Sequence, residues 1–158
     1  MKTLFVAILL MSVSAFADDQ VQPLPVIEVP VTNVHVEVFN TCLGEACFVA
    51  NISVNGQSQA ICEASVGRGK YPTPKVIDAP FYDLHETYSS KFGITKYTMI
   101  FSNSRFFFYG REHRSPFTGR GGIQLNMDCA KTVFEWADKA IKNGGTATIS
   151  THDTYDQF

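Results

Sequence analysis

The sequence predicts a mainly β domain with one amphipathic helix near its C-terminus, and three observations carry that prediction. Short runs with alternating apolar residues recur from Asn33 onward. Asn55-Gly56, a dipeptide suited to tight hairpins, sits between two of them. Only the stretch after Asn126 spaces its apolar residues at a helical period and then runs into a stop signal.

Taken in order, the chain opens with Lys2, an apolar run from Leu4 to Met11 and Ala15-Phe16-Ala17, the plan of a secretory signal peptide over 1–17. The run is too short to span a bilayer, for which about 20 apolar residues are needed, and the mature chain is expected to carry no transmembrane segment. Residues 18–32 form a lead-in whose prolines, Pro23, Pro25 and Pro30, alternate with apolar residues and disfavour helix. One domain is expected over 33–150, followed by a tail at 151–158.

Within the domain, "VHVEVF" alternates, and "CFVANISV" puts Phe48, Ala50, Ile52 and Val54 on one face. Asn55-Gly56 then turns the chain into "QSQAICEASV", giving an antiparallel meander. "GRGKYPTPKV" reads as a Gly/Pro-punctuated loop and is followed by a less regular aromatic region through Phe92. "YTMIFSN" and "RFFFYG" are two further strands, the second expected to be buried on both faces. A polar loop from Arg111 to Gly122 leads to the helix. Starting near Asn126 or Asp128, the helix directs Ala130, Val133, Phe134, Ala137 and Ile141 inward and stops at Asn143-Gly144-Gly145. "TATIS" closes the fold as a strand. The sequon Asn51-Ile52-Ser53 falls inside an expected strand and carries little weight.

A chain with 13 basic and 15 acidic residues, at net charge -2, offers nothing for general nucleic-acid binding. An exported chain meets an oxidising compartment, where Cys42, Cys47, Cys62 and Cys129 are expected to form two disulfides. Four cysteines allow three pairings. Cys42 and Cys47 flank the "LGEA" turn, which makes Cys42–Cys47 with Cys62–Cys129 the expected set. Zinc is a weaker rival because no histidine stands at ligand distance from the pair. No metal or organic cofactor is indicated.

Three segments in order resemble the catalytic domain of the L,D-transpeptidase family, enzymes that cross-link peptidoglycan. "ASVGRGKYPTP" (Ala64 to Pro74) resembles its small-residue, Gly-Lys, Thr-Pro segment, and "MIFSNSRFFFYG" (Met99 to Gly110) its strand pair ending in His-Gly. "GRGGIQLNMDCAKTVFEWADKAIKNGGTATI" (Gly119 to Ile149) resembles its signature S-H-G-C-[IV]-R-[LM] with the helix and strand that follow. The resemblance covers nearly the whole mature chain and implies a β-sandwich of the L,D-transpeptidase type in the periplasm or outside the cell.

In that family the signature cysteine attacks a stem-peptide carbonyl, a histidine activates it, and an amine resolves the acyl-enzyme. The same alignment puts Gly119 at the signature serine, Arg120 at the histidine, Gly121 at the glycine and Gly122 at the cysteine. Ile123 and Leu125 are kept, Gln124 replaces the arginine, and Tyr109 replaces the upstream histidine before Gly110. Glycine has no atom to attack a carbonyl, and a guanidinium is no base at neutral pH. Cys129 lies seven residues past Gly122 and reads as a half-cystine. Ser115 beside Pro116 is a turn residue, and His35 and His85 carry no motif.

From Arg105 to Arg120, four arginines (Arg105, Arg111, Arg114 and Arg120) stand against Glu112 alone, a local excess of basic charge in an acidic protein. Arginines that fork two donors onto a carboxylate would suit an anionic peptide. The ligand-binding candidates are accordingly Arg120, Tyr109, Arg111, His113, Arg114 and Gln124, and no catalytic residue is assigned. The leading expectation is a pseudoenzyme binding peptidoglycan or its stem peptide. One alternative is an active wall-modifying enzyme using Glu112, His113, Asp128 or Tyr109 as acid or base. The other is an interaction scaffold for an envelope protein, its pocket filled by Tyr109 and Arg120.

Overall fold

The computed structural model describes residues 29–39, 48–67, 71–91, 93–102, 106–111, 117–118 and 121–152. The expected signal peptide, most of the lead-in, the Cys42–Cys47 pair and most of the arginine-bearing loop lie outside the described residues.

The first three strands are β1 (Asn33–Phe39), β2 (Val49–Val54) and β3 (Gln57–Gly67). They form the expected antiparallel meander. Alternation decides their faces: Val34, Val36 and Val38 of β1 are fully buried while their neighbours are not. Asn55 and Gly56 both take positive φ, +50° and +80°, the conformation a two-residue hairpin of this hand demands.

Residues 76–92, expected to be irregular, contain β4 (Val76–Pro80) and β5 (Asp83–Ser90). Both are edge strands, and β4 leaves Ile77 72% exposed. No residue of either strand is fully buried, so neither shows the apolar alternation by which a half-buried strand is recognised. Next come β6 (Gly93–Phe101) and β7 (Phe106–Gly110). Burial on both faces of β7 is only partial. Phe108 and Gly110 are buried, whereas Phe106, Phe107 and Tyr109 are half-buried under neighbouring rings such as Tyr88, 5.0 Å from Phe107.

The loop expected over 111–122 holds a short strand β8 (Phe117–Thr118), paired in parallel with Val66 and Gly67. It is followed by β9 (Ile123–Leu125), the helix α1 (Met127–Lys142) and β10 (Thr146–Thr151). Among the described residues the strands form one sheet in the order β4-β10-β1-β2-β3-β9-β7-β6-β5, with β8 against β3. Strand β3 joins the two halves: Gln57 to Glu63 pair with β2, and Ala64 and Ser65 pair with β9. The sheet curls about a single core. Val36, Ile52 and Ile149 from one half pack with Met99, Phe108 and Leu125 from the other, the expected sandwich-like arrangement.

Helix α1 begins at Asn126, whose side chain accepts the Cys129 N–H at 2.7 Å. Asp128 in the first turn and Lys139 and Lys142 in the last complement its dipole. Its buried stripe is Ala130, Val133, Ala137 and Ala140. Ile141, expected inward, is 43% exposed because it falls at the margin of that stripe in the final turn. The helix ends at Asn143 with Gly144 at φ +76°. A Cys62–Cys129 disulfide, with Cα atoms 6.5 Å apart, ties the first turn of α1 to β3.

Candidate functional site

Tyr109, Gly110 and Gly121 to Leu125, the described positions among those singled out by the family resemblance, meet where β3 ends, β7 ends and β9 begins. Tyr109 pairs with Gln124 and Gly110 with Leu125 in a parallel ladder. Gly121, just before β9, has φ +75°, a left-handed conformation natural to glycine. A Cβ on it would lie 2.7 Å from Cε1 of Phe106 and 2.8 Å from the Pro72 carbonyl oxygen. One on Gly67 would collide with the backbone of Gly121 and with the Tyr71 carbonyl. Main chain therefore packs on main chain here, and side chains are excluded by contact.

Thr73 fastens this junction. Fully buried, its Oγ1 accepts the Gly67 N–H at 2.7 Å and lies 3.4 Å from the Gly122 carbonyl oxygen, to which it donates. Sequence reasoning did not single out Thr73 as a site residue. Its signal was nevertheless present in the Thr-Pro of "KYPTP".

At Gly122, an added Cβ would lie 2.9 Å from the Phe107 carbonyl oxygen and 3.1 Å from Cε1 of Tyr109. The tyrosine ring thus stands against the bare Cα. Strand β6 helps to set this arrangement. Its pairing with β7 shifts between Lys96 and Met99, so that Tyr97 and Thr98 together oppose Tyr109. Tyr97 takes φ +50°, a strained value for a bulky residue, and its ring lies 5.8 Å from that of Phe134 on α1. Thr98 is buried, its Oγ1 2.7 Å from that of Thr95.

The expected ligand-binding residues do not share one environment. Tyr109 is half-buried, Gln124 is buried at 1% exposure, and Arg111 is exposed one residue beyond β7. Arg120, His113 and Arg114, with Gly119 and Glu112, lie outside the described residues. Asp128 is exposed on the first turn of α1. Cys129 is held in its disulfide, and among the described residues there is no free thiol. No group of three or more His, Cys, Asp or Glu among the described residues is placed to hold a metal ion. No helix among them is long and apolar enough to cross a membrane.

No protein-family model and no curated protein sequence matches the chain. Solved structures do. An L,D-transpeptidase from Stackebrandtia nassauensis superposes with a TM-score of 0.62 at 15% identity, covering 90% of this chain and 63% of that one. L,D-transpeptidase 1 of Mycobacterium tuberculosis gives 0.53 at 17% identity, over 75% and 61%. L,D-transpeptidase 3 of the same organism, in complex with a faropenem-derived adduct, gives 0.56 at 14% identity, over 76% and 60%. The chain thus spans about three-fifths of the length of the structures it matches. By these superpositions, this chain has the L,D-transpeptidase fold.

Proposed function

We propose that this chain is an exported, non-catalytic domain that retains the L,D-transpeptidase fold to bind peptidoglycan, engaging stem-peptide carboxylates through the arginine-bearing loop beside the former catalytic centre. The observation that carries the reading is the ring of Tyr109 lying against Gly122. The position matching the nucleophile has no side chain, and the space for one is taken. The nearest thiol, Cys129, is committed to a disulfide, which also fits an oxidising compartment. Arg111 is exposed at the end of β7, where the loop carrying Arg114 and Arg120 departs. A guanidinium on that rim can fork two hydrogen bonds onto a carboxylate.

The test is to incubate the mature chain with peptidoglycan sacculi, reading cosedimentation and the muropeptide profile together. Binding with an unchanged profile is expected, and Arg111→Ala with Arg120→Ala weakens it. Altered muropeptides would overturn the non-catalytic reading in favour of an enzyme using Tyr109, Glu112, His113 or Asp128. The ring of Tyr109 also favours a second reading, a filled pocket on a scaffold for an envelope protein. Absence of cosedimentation would select that one.

A further inference from the structure

Away from the Gly122 junction, a groove of about 440 Å³ opens between helix α1 and the β2–β3 hairpin, lined by Val29, Val54, Asn55, Gln57, Gln59 and Trp136. Its volume falls in the range of small-molecule sites, roughly 300–1,000 Å³. Among the described residues, none of the lining side chains is charged.

The hairpin is built to present two amides there. Ile52 pairs with Ala60 and Ser53 with Ser58, so Gln59 is an extra residue on β3 and Gln57 and Gln59 both line the groove. Asn55 is structural. Its Oδ1 accepts from the backbone N–H groups of Thr32 and Asn33 at 3.0 and 3.1 Å, and its Nδ2 donates to the Pro30 carbonyl at 2.9 Å, which holds Val29 at the rim. Among the described residues, the Gln57 and Gln59 amides and the Trp136 indole N–H make no hydrogen bond. Trp136 packs partly against the core and lines the groove as well.

We infer that this groove binds a neutral saccharide of one or two pyranose rings. A pyranose offers an apolar C–H face and a rim of hydroxyls. The indole supplies a flat apolar surface with one donor, and each carboxamide supplies both a donor and an acceptor for neighbouring hydroxyls. Among the described lining residues a charged ligand would find no counter-charge. The site is independent of the arginine-bearing loop, so a soluble saccharide without a stem peptide should bind it whether or not that loop binds peptide.

Trp136 is the only tryptophan in the sequence, so intrinsic fluorescence reports on this groove alone. Titrating the mature protein with chitobiose and with cellobiose should give a saturable change in Trp136 emission for at least one of them. A response to chitobiose alone would assign recognition to the acetamido group, and responses to both would assign it to the hydroxyls. Gln57→Ala with Gln59→Ala, on an exposed strand end, should weaken that response at least tenfold without changing the far-UV circular dichroism, and Arg111→Ala should leave it unchanged. No saturable response to either disaccharide, or a response the glutamine variant does not weaken, would overturn the assignment.

Discussion

The ring of Tyr109 occupies the space that a side chain on Gly122 would need, since a Cβ there would lie 3.1 Å from its Cε1. The Phe107 carbonyl oxygen, 2.9 Å away, closes the other side and belongs to a backbone that cannot swing aside. Gly122→Ala should therefore destabilise the fold by about 1–3 kcal/mol, the usual cost of overpacking. Tyr109→Ala in the same background should recover part of that loss and leave the part set by the carbonyl. A coupling of about 0.5–1 kcal/mol is expected from urea midpoints at constant m-value. Strict additivity would mean that the two residues do not compete for space.

Restoring the family's chemical groups should not restore its chemistry. In Gly122→Cys with Tyr109→His, the new Cβ still meets the Phe107 carbonyl, and Arg120 and Gln124 remain at the positions where the sequence resemblance would put histidine and arginine. Misplacement of a nucleophile by about 1 Å costs on the order of a hundredfold in rate. Intact-mass spectra of this variant after faropenem treatment should show at most slow adduct formation, and sacculi should gain no new cross-links. Rapid labelling or new cross-links would show that the scaffold had stayed competent.

The meander, the Asn55-Gly56 hairpin and the single helix were legible because each rests on local periodicity or turn chemistry, which a sequence displays directly. Edge strands β4 and β5 were not, because their residues stay largely exposed or half-buried, and β4 in addition pairs with β10, far along the chain. The same distinction holds at the site. The glycines of "GRGGIQL" are visible, but the crowding of Gly122 depends on a carbonyl from β7 and on a bulge at Tyr97, and the identity of a residue says nothing about where its main-chain oxygen points. Nor could sequence periodicity reveal that Gln57 and Gln59 line a groove with Trp136, which stands far along the chain on α1.

Thr73 supplies a hydroxyl that no other residue at that position except serine could provide. Thr73→Val keeps the volume and removes the acceptor for the Gly67 N–H and the donor to the Gly122 carbonyl, leaving buried polar groups without their partner. A loss of about 1–3 kcal/mol is expected. Thr73→Ser, which retains the oxygen, should recover most of it. Chemical denaturation of both variants checks this, and equal losses would assign the effect to the missing methyl packing instead of the hydrogen bonds.

The Cys62–Cys129 bond closes a loop of 67 residues between β3 and the first turn of α1. Cross-linking so distant a pair removes conformational freedom from the unfolded chain, and a loop of this length corresponds to about 4 kcal/mol in the chain-entropy treatment. Replacing both cysteines by alanine should lower the thermal midpoint substantially, and reductant should lower that of the wild-type chain by more than that of the variant, which keeps Cys42 and Cys47. Loss of the bond also frees the capped end of the helix, so amide exchange should accelerate first around Asn126 to Ala130. Uniform acceleration across the domain would instead locate the effect in the unfolded state alone, as the entropic account in its simplest form requires.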